Sequence, residues 1–344
     1  MSTAAGTITS ATSSRAAQPF RDSGHAQQPE RRARAAVLDK IVLVTRKTRL
    51  AELIERFNTR AQAKFYIDHS TGDFDEYVRE DDAYRASLDV IRAAVDLGLK
   101  VQAIDRALLP TYTFTEHDVV VTAGQDGLVA NTAKYAGEQP IVGVNPDRAR
   151  IDGVLLPFAP GDTRRVLTAV LEARAASRSV TLAEARLNDG QTLLAFNDFF
   201  VGARSHISAR YRIRYGGGVE AHSSSGVIVS TAAGSTGWLS SVFNMVAGVA
   251  RFAGAEQPLH VPTMSDHDRR LLFVVREPFV SRHSQAGIVA GAVDDAHALS
   301  LESLMPSCGV IFSDGVESDA LHFDSGSIAT IGVAPRSARL VVQG

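Results

Sequence analysis

Short apolar runs alternate with segments of helical period through the first half of the chain, the pattern of strands and helices in an α/β unit. Lys40-Ile41-Val42-Leu43-Val44-Thr45 predicts a first strand, and Arg49 to Lys64 predicts one helix with Leu50, Leu53, Ile54 and Phe57 on one side. Ser70 to Glu80 is acidic and polar and predicts a surface loop; Ala83 to Leu97 predicts a helix that stops at Gly98. Lys100 to Ile104, Asp118 to Thr122 and Pro140 to Val144 predict further strands, with a helix from Leu128 to Tyr135 between the last two. Such alternation implies a largely parallel sheet.

After Pro160 the period changes. Thr163 to Ala176 predicts a linking helix, and then Val180 to Leu187, Gln191 to Phe196, Ser208 to Tyr215 and Val227 to Ser230 predict short strands. Asn188-Asp189-Gly190 between two of them is a hairpin signal. Gly216-Gly217-Gly218 reads as a turn rather than a phosphate loop, because no helix follows it. Leu239 to Phe252 is a second helical segment, and strands follow around Leu271 to Val275, Ala298 to Leu301, Val310 to Ser313 and Ile328 to Val333. No internal repeat is evident.

At 344 residues the chain exceeds one typical domain length. A hydrophobic fraction of 45% and a charged fraction of 22% are those of a soluble globular protein. A net charge of −2 gives no global basic field for a nucleic-acid partner, and no stretch approaches the roughly 20 apolar residues of a membrane span. The single cysteine, Cys308, excludes an intrachain disulfide framework and a cysteine metal cluster, which makes a reducing cytoplasm the simplest location. Residues 1–36 are rich in Ala, Ser, Thr, Gln and Arg without a core pattern and read as a disordered tail; their bias also permits a transit peptide, for which the amphipathic pattern is weak. His222, His260, His267 and His283 have no metal-ligand spacing, and Asp266, Asp268, Asp294 and Asp295 read as solvated loop acids.

Two stretches carry candidate chemistry. In the first, Ser225 to Trp238, an apolar strand breaks into Ser230-Thr231-Ala232-Ala233-Gly234-Ser235-Thr236 before the Leu239 helix. Small side chains let a ligand approach the backbone, and the amides that open a helix suit an anion; an ordinary strand-to-helix turn is the bland alternative. In the second, Ala123-Gly124-Gln125-Asp126-Gly127 follows a buried strand and opens a helix. Ligands of open α/β sheets bind at that edge, and Asp126 is either delivered to them or caps the helix.

Gly124-Gln125-Asp126-Gly127 resembles the Gly-Gly-Asp-Gly signature of the NAD kinase family, Asn197-Asp198 resembles its asparagine-acid pair, and Gly226 to Trp238 resembles its Ser/Thr-Gly-Ser-Thr segment. Between them, Ile141-Val142-Gly143-Val144-Asn145 resembles the family's strand ending in Gly-Val-Asn, and Asp314-Gly315 with Leu340-Val341-Val342 resembles its closing segment. These pieces stand in the family's order between Lys40 and Val342. The resemblance implies an α/β N-terminal lobe over residues 37–160 and a β-rich, dinucleotide-binding lobe over 161–325. It also implies that a segment over 326–344 returns to the first lobe.

The implied reaction moves the γ-phosphoryl group of ATP, with Mg²⁺ held mainly by the nucleotide, to the adenosine ribose 2′-hydroxyl of NAD. Asp126 is the implied general base, and Gly124, Gln125 and Gly127 lie against donor phosphates. Asn197 and Asp198 would hold adenine or ribose; Ser230, Thr231, Gly234, Ser235 and Thr236 would serve adenine or phosphate, and Trp238 would stack or join the core. A homodimer or homotetramer without membrane or nucleic-acid partners is implied too. Departures are Gln125 for glycine, Ser225 for aspartate, Ala233 for threonine, Trp238 for tyrosine and Asp147 for glycine. If position 125 requires positive φ or close phosphate approach, glutamine fits it poorly. The alternatives are a related kinase acting on a lipid, nucleoside or sugar, and a non-catalytic dinucleotide-binding protein.

Overall fold

A computed structural model of the protein describes residues 38–70, 72–255, 262–265 and 268–344. The tail expected over 1–36 lies outside the described residues, as do His260, Asp266 and His267. The N-terminal half contains β1 (Lys40–Thr45), α1 (Arg49–Phe57), α2 (Arg60–His69), α3 (Phe74–Ala94), β2 (Lys100–Asp105), β3 (Asp118–Ala123), α4 (Asp126–Ala136) and β4 (Pro140–Val144). β1 pairs in parallel with β2 and β3, and β3 with β4. β3 and β4 are buried throughout, as expected of parallel strands covered on both faces.

Two expectations fail here for local reasons. The single helix predicted from Arg49 to Lys64 is two, because Asn58 takes a left-handed φ of 63° and the Thr59 side chain then caps α2 by accepting from the Gln62 amide. The acidic stretch predicted as a loop to Glu80 is helical from Phe74. Asp73 caps α3, and Asp75 and Glu76 sit in its first turn, where the helix dipole favours negative charge.

The C-terminal half contains α5 (Thr163–Leu171), β5 (Ser177–Leu187), β6 (Thr192–Ala195), β7 (Asp198–Ala203), β8 (Ala209–Tyr215), β9 (Gly218–Ser224), β10 (Val227–Ser230), α6 (Ser240–Phe252), β11 (Arg270–Val275), β12 (Ala290–Asp294), β13 (Leu299–Ser303), β14 (Gly309–Ser313), β15 (Val316–His322) and β16 (Ile328–Val341). The order β12-β11-β10-β7-β14-β15 forms one antiparallel sheet. β16 links the rest: its first residues pair antiparallel with β13, its last pair parallel with β4, and β5 runs antiparallel along it. Facing apolar side chains of the two sheets, among them Phe199, Val229 and Phe273 against Tyr211, Leu301 and Ile331, fill one core. The chain is thus an α/β region with a parallel sheet joined to a β-rich region, as the sequence pattern predicts. Gly216 and Gly217, at positive φ, make the turn of the β8–β9 hairpin rather than a phosphate loop.

Candidate active site

Asp126 is the first residue of α4, at the carboxyl end of β3, and is half-buried. Its side chain does not cap its own helix. Oδ1 instead accepts a hydrogen bond of 2.6 Å from the Leu155 amide, in the loop that follows β4. That loop explains the Gly-Val-Asn motif. A Cβ on Gly143 would lie 2.1 Å from the Leu155 carbonyl oxygen, so only glycine lets the loop close down. Asn145 then braces it, donating to the Ile151 carbonyl at 2.8 Å and accepting from the Asp147 amide at 3.0 Å. Asp147, present in place of glycine, accepts from the Ala149 amide and pairs with Arg150, which makes it a turn former.

Gln125 precedes α4 at φ −108° and ψ 167°, ordinary extended backbone. No positive φ is required here, so the backbone itself accepts glutamine. Gly124 is buried, and a Cβ there would meet Leu128 Cδ2 at 2.7 Å; Gly127 is exposed and opens onto space. Beside Gln125 lies a pocket of about 400 Å³ bordered by Arg46, Arg49, Glu76, Glu80 and Arg150. Its charges are already matched: Glu80 pairs with Arg46 and Arg49, and Glu76 with Arg49 at 2.9 Å.

The Asn197–Asp198 corner is built from the other half of the chain. The Asp314 carboxylate accepts from three successive amides, those of Phe196 at 3.0 Å, Asn197 at 2.6 Å and Asp198 at 3.3 Å. On the opposite side the Asn197 carbonyl accepts from the Thr231 amide at 2.9 Å and the Thr231 hydroxyl at 3.2 Å. Gly234 completes the contact, because a Cβ on it would lie 2.2 Å from the Asn197 carbonyl oxygen. Ser230 and Thr231 are fully buried, and their hydroxyls donate to backbone carbonyls, the latter to Phe196 at 2.6 Å. Both hydroxyls thus fasten the corner. Ser235 is half-buried with its hydroxyl on the Ala232 carbonyl, and Thr236 is exposed.

Asp198 is buried, and among the described residues no hydrogen-bond donor or cation contacts its carboxyl. Burial and the neighbouring Asp314 charge push that carboxyl up to about 7. Burial also raises Asp314, against the opposing pull of Lys134 and the three amides. The corner and the Asp126 loop meet at one apolar cluster, which contains Leu128, Leu156 and Phe196 with Leu155 and Ala233 packed against it.

Trp238 is placed elsewhere. It stacks on Phe200 with centroids 5.6 Å apart and planes 9° from parallel, and Arg276 lies over its ring. With Phe312, Arg204 and Ser225 they line a cavity of about 430 Å³ that neither Asp126 nor Asn197 and Asp198 borders. Sequence reasoning missed Lys134 and Asp319 altogether. A lysine on a helix with small apolar neighbours reads as exposed, and nothing local reveals the buried acid 185 positions later that holds it. The histidines form no ligand set: among the described residues no group of three or more His, Cys, Asp or Glu is placed to hold a metal ion, and His222 bonds Glu220 at 2.9 Å.

No family model matches the chain, and no curated protein does. Among solved structures it is similar to yeast NADH kinase complexed with NADH, at 15% identity over 89% of this chain and 84% of that one, with a TM-score of 0.55. It is also similar to an NAD kinase from Archaeoglobus fulgidus in complex with ATP, at 17% identity over 88% and 93% of the two chains, with a TM-score of 0.50. The chain has an NAD kinase-like fold.

Proposed function

We propose that the protein is an NAD kinase, transferring the γ-phosphoryl group of ATP to the adenosine ribose 2′-hydroxyl of NAD to give NADP and ADP. One observation carries this reading: a half-exposed aspartate opening α4 shares an apolar cluster with a backbone-built corner whose own carboxyl is left unspent. The fold likeness to two NAD(H) kinases supports it.

Asp126 keeps one oxygen on the Leu155 amide and offers the other to the ribose hydroxyl. The hydroxyl oxygen forms the bond to the γ-phosphorus, the bond to the β–γ bridging oxygen breaks, and the proton passes to Asp126. Asn197 and Asp198 orient the adenosine half, whose ribose hydroxyls donate to the Asp198 carboxylate. Ser230, Thr231 and Gly234 hold the wall behind them, and Ser235 and Thr236 face its rim. Gly124, Gln125 and Gly127 leave room for donor phosphates beside Arg46 and Arg49. Because the carboxylates lining this pocket, Glu76, Glu80 and Asp147, are committed to arginines, a Mg²⁺ ion carried on the nucleotide's phosphates fits this site better than a protein-held one. It supplies charge neutralisation there. In this reading residues 37–160 supply the base, 161–325 hold the dinucleotide and 326–344 join the two. The working form is a cytoplasmic homodimer or homotetramer. Among the described residues no helix is long and apolar enough to cross a membrane.

The test incubates purified protein with ATP, Mg²⁺ and NAD, NADH, or a panel of nucleoside, sugar and lipid acceptors, follows acceptor-dependent ADP release in every case, and identifies NADP with an NADP-specific dehydrogenase. Enzyme-dependent NADP is the expected result. Phosphorylation of another acceptor alone reassigns the substrate, and binding of NAD or ATP without any product makes the protein a non-catalytic binder.

A further inference from the structure

Lys134 lies on α4 eight residues from Asp126, roughly 12 Å along the helix. Its side chain is 1% exposed. Nζ donates to Ser313 Oγ at 2.8 Å and to Asp319 Oδ2 at 3.1 Å, and the Tyr135 hydroxyl donates to the same carboxylate. Arg336 of β16 donates to the Lys134 carbonyl at 3.0 Å. A lysine this deep is stable only where carboxylates meet it, and Asp319 does so directly. Ser313, its other partner, immediately precedes Asp314, the residue that grips the amides of Phe196, Asn197 and Asp198.

The contacts thus form one continuous path. It starts at Asp126, runs down α4 to Lys134, crosses to Ser313 and Asp314, and ends at the Asn197–Asp198 corner. An apolar side chain of similar length would fill the same space, whereas an ammonium shared between a hydroxyl and a carboxylate also fixes direction. We propose that Lys134 is a positioning residue that, through Asp319 and Ser313, holds the Asn197–Asp198 corner at a fixed reach from Asp126. Its catalytic meaning rests on the kinase reading above; its hold on the corner does not.

Lys134→Met, Asp319→Asn and the double variant test this by two readouts. In steady-state NADP formation, Lys134→Met loses about tenfold or more in kcat/KM for NAD, while KM for ATP stays within about twofold. In amide hydrogen exchange, Phe196, Asn197 and Asp198 exchange faster in the variant while β1 and β3 keep their rates. Adding Asp319→Asn costs little more, since the two residues act as one unit. Unchanged kinetics with unchanged exchange at the corner overturn the proposal, and so does a uniform rise in exchange across the chain, which marks a merely structural role. Should Lys134→Met fail to fold, Ser313→Ala, which cuts the Lys134 link beside Asp314 and leaves the Lys134–Asp319 pair intact, is held to the same outcomes. If the wild type forms no NADP, the kinase reading falls and exchange at the corner alone decides whether Lys134 holds it.

Discussion

Asp126 and Asp198, two corners of one site in the proposed reading, are held in opposite ways. Asp126 is half-exposed, and its carboxylate is anchored by the Leu155 amide, so a backbone donor fixes its direction. At Asp198 the backbone is anchored instead, by Asp314 on its own amide and by Thr231 on the carbonyl of the preceding Asn197, and the carboxyl is left largely buried without a protein donor beside a second acid. An anchored carboxylate with one oxygen to spare suits proton transfer at a fixed point. A largely buried carboxyl without a protein donor gains from a ligand's donors or from its own proton, which suits recognition.

The comparison breaks most visibly at Asp126. Asp126→Asn keeps an acceptor for the Leu155 amide and removes only the base, so kcat should fall by about 10³-fold while NAD affinity by calorimetry changes little. If turnover persists, Asp126 is a loop anchor and the chemistry needs no base from this chain. A smaller effect separates the corners by way of their glycines. Gly143→Ala forces the Leu155 carbonyl away and with it the amide on Asp126, whereas Gly234→Ala pushes on the Asn197 carbonyl. The first should lower kcat about tenfold or more with KM for NAD nearly unchanged, and the second should mainly raise KM. Equal losses of kcat in both would erase the division of labour; thermal melts establish that each variant is folded.

Much of the parallel half was legible because buried strands and amphipathic helices carry their own period: β1, β2, β3, β4 and α4 lie where the pattern puts them. The Asn58 break was not, because a left-handed asparagine inside a helical period leaves no apolar gap. β7, β9, β12 and β15 were missed as strands. β9, Gly218–Ser224, and β15, Val316–His322, are largely polar and only partly buried, and β7 follows directly on the corner that reads as a turn. At the site, short motifs pointed to Asp126, Asn197 and Asp198, since local backbone needs leave local signatures. What holds the corner came from afar: Asp314 reaches amides 116 to 118 positions away, and Lys134 reaches Ser313 across 179. Spacing along a chain carries no trace of such pairs. Trp238 was legible as an aromatic but not in its direction, which the Phe200 ring and Arg276 decide.

The smallest effect is the most specific to Asp198. With its carboxyl raised to about 7 from an ordinary 3.8, the folded chain holds a proton between those values that the unfolded chain has lost. Stability contributed by this group is therefore present below the ordinary value and is lost as pH rises through that window. Asp198→Asn should remove that slope from urea-denaturation free energies. Acceptor binding should move the other way, because the carboxylate accepts more strongly, and from both oxygens, than the acid, which keeps one acceptor and adds a donor. KM for NAD should fall severalfold as pH rises through about 7, and the asparagine variant should lose that dependence. Asp314 faces the same carboxyl, with Lys134, Tyr135 and Asp319 behind it, so Lys134→Met should shift the midpoint while Asp198→Asn abolishes it. A pH dependence that survives Asp198→Asn would belong to Asp314. The second corner would then be a scaffold, and recognition would have to be sought in the side chain of Asn197.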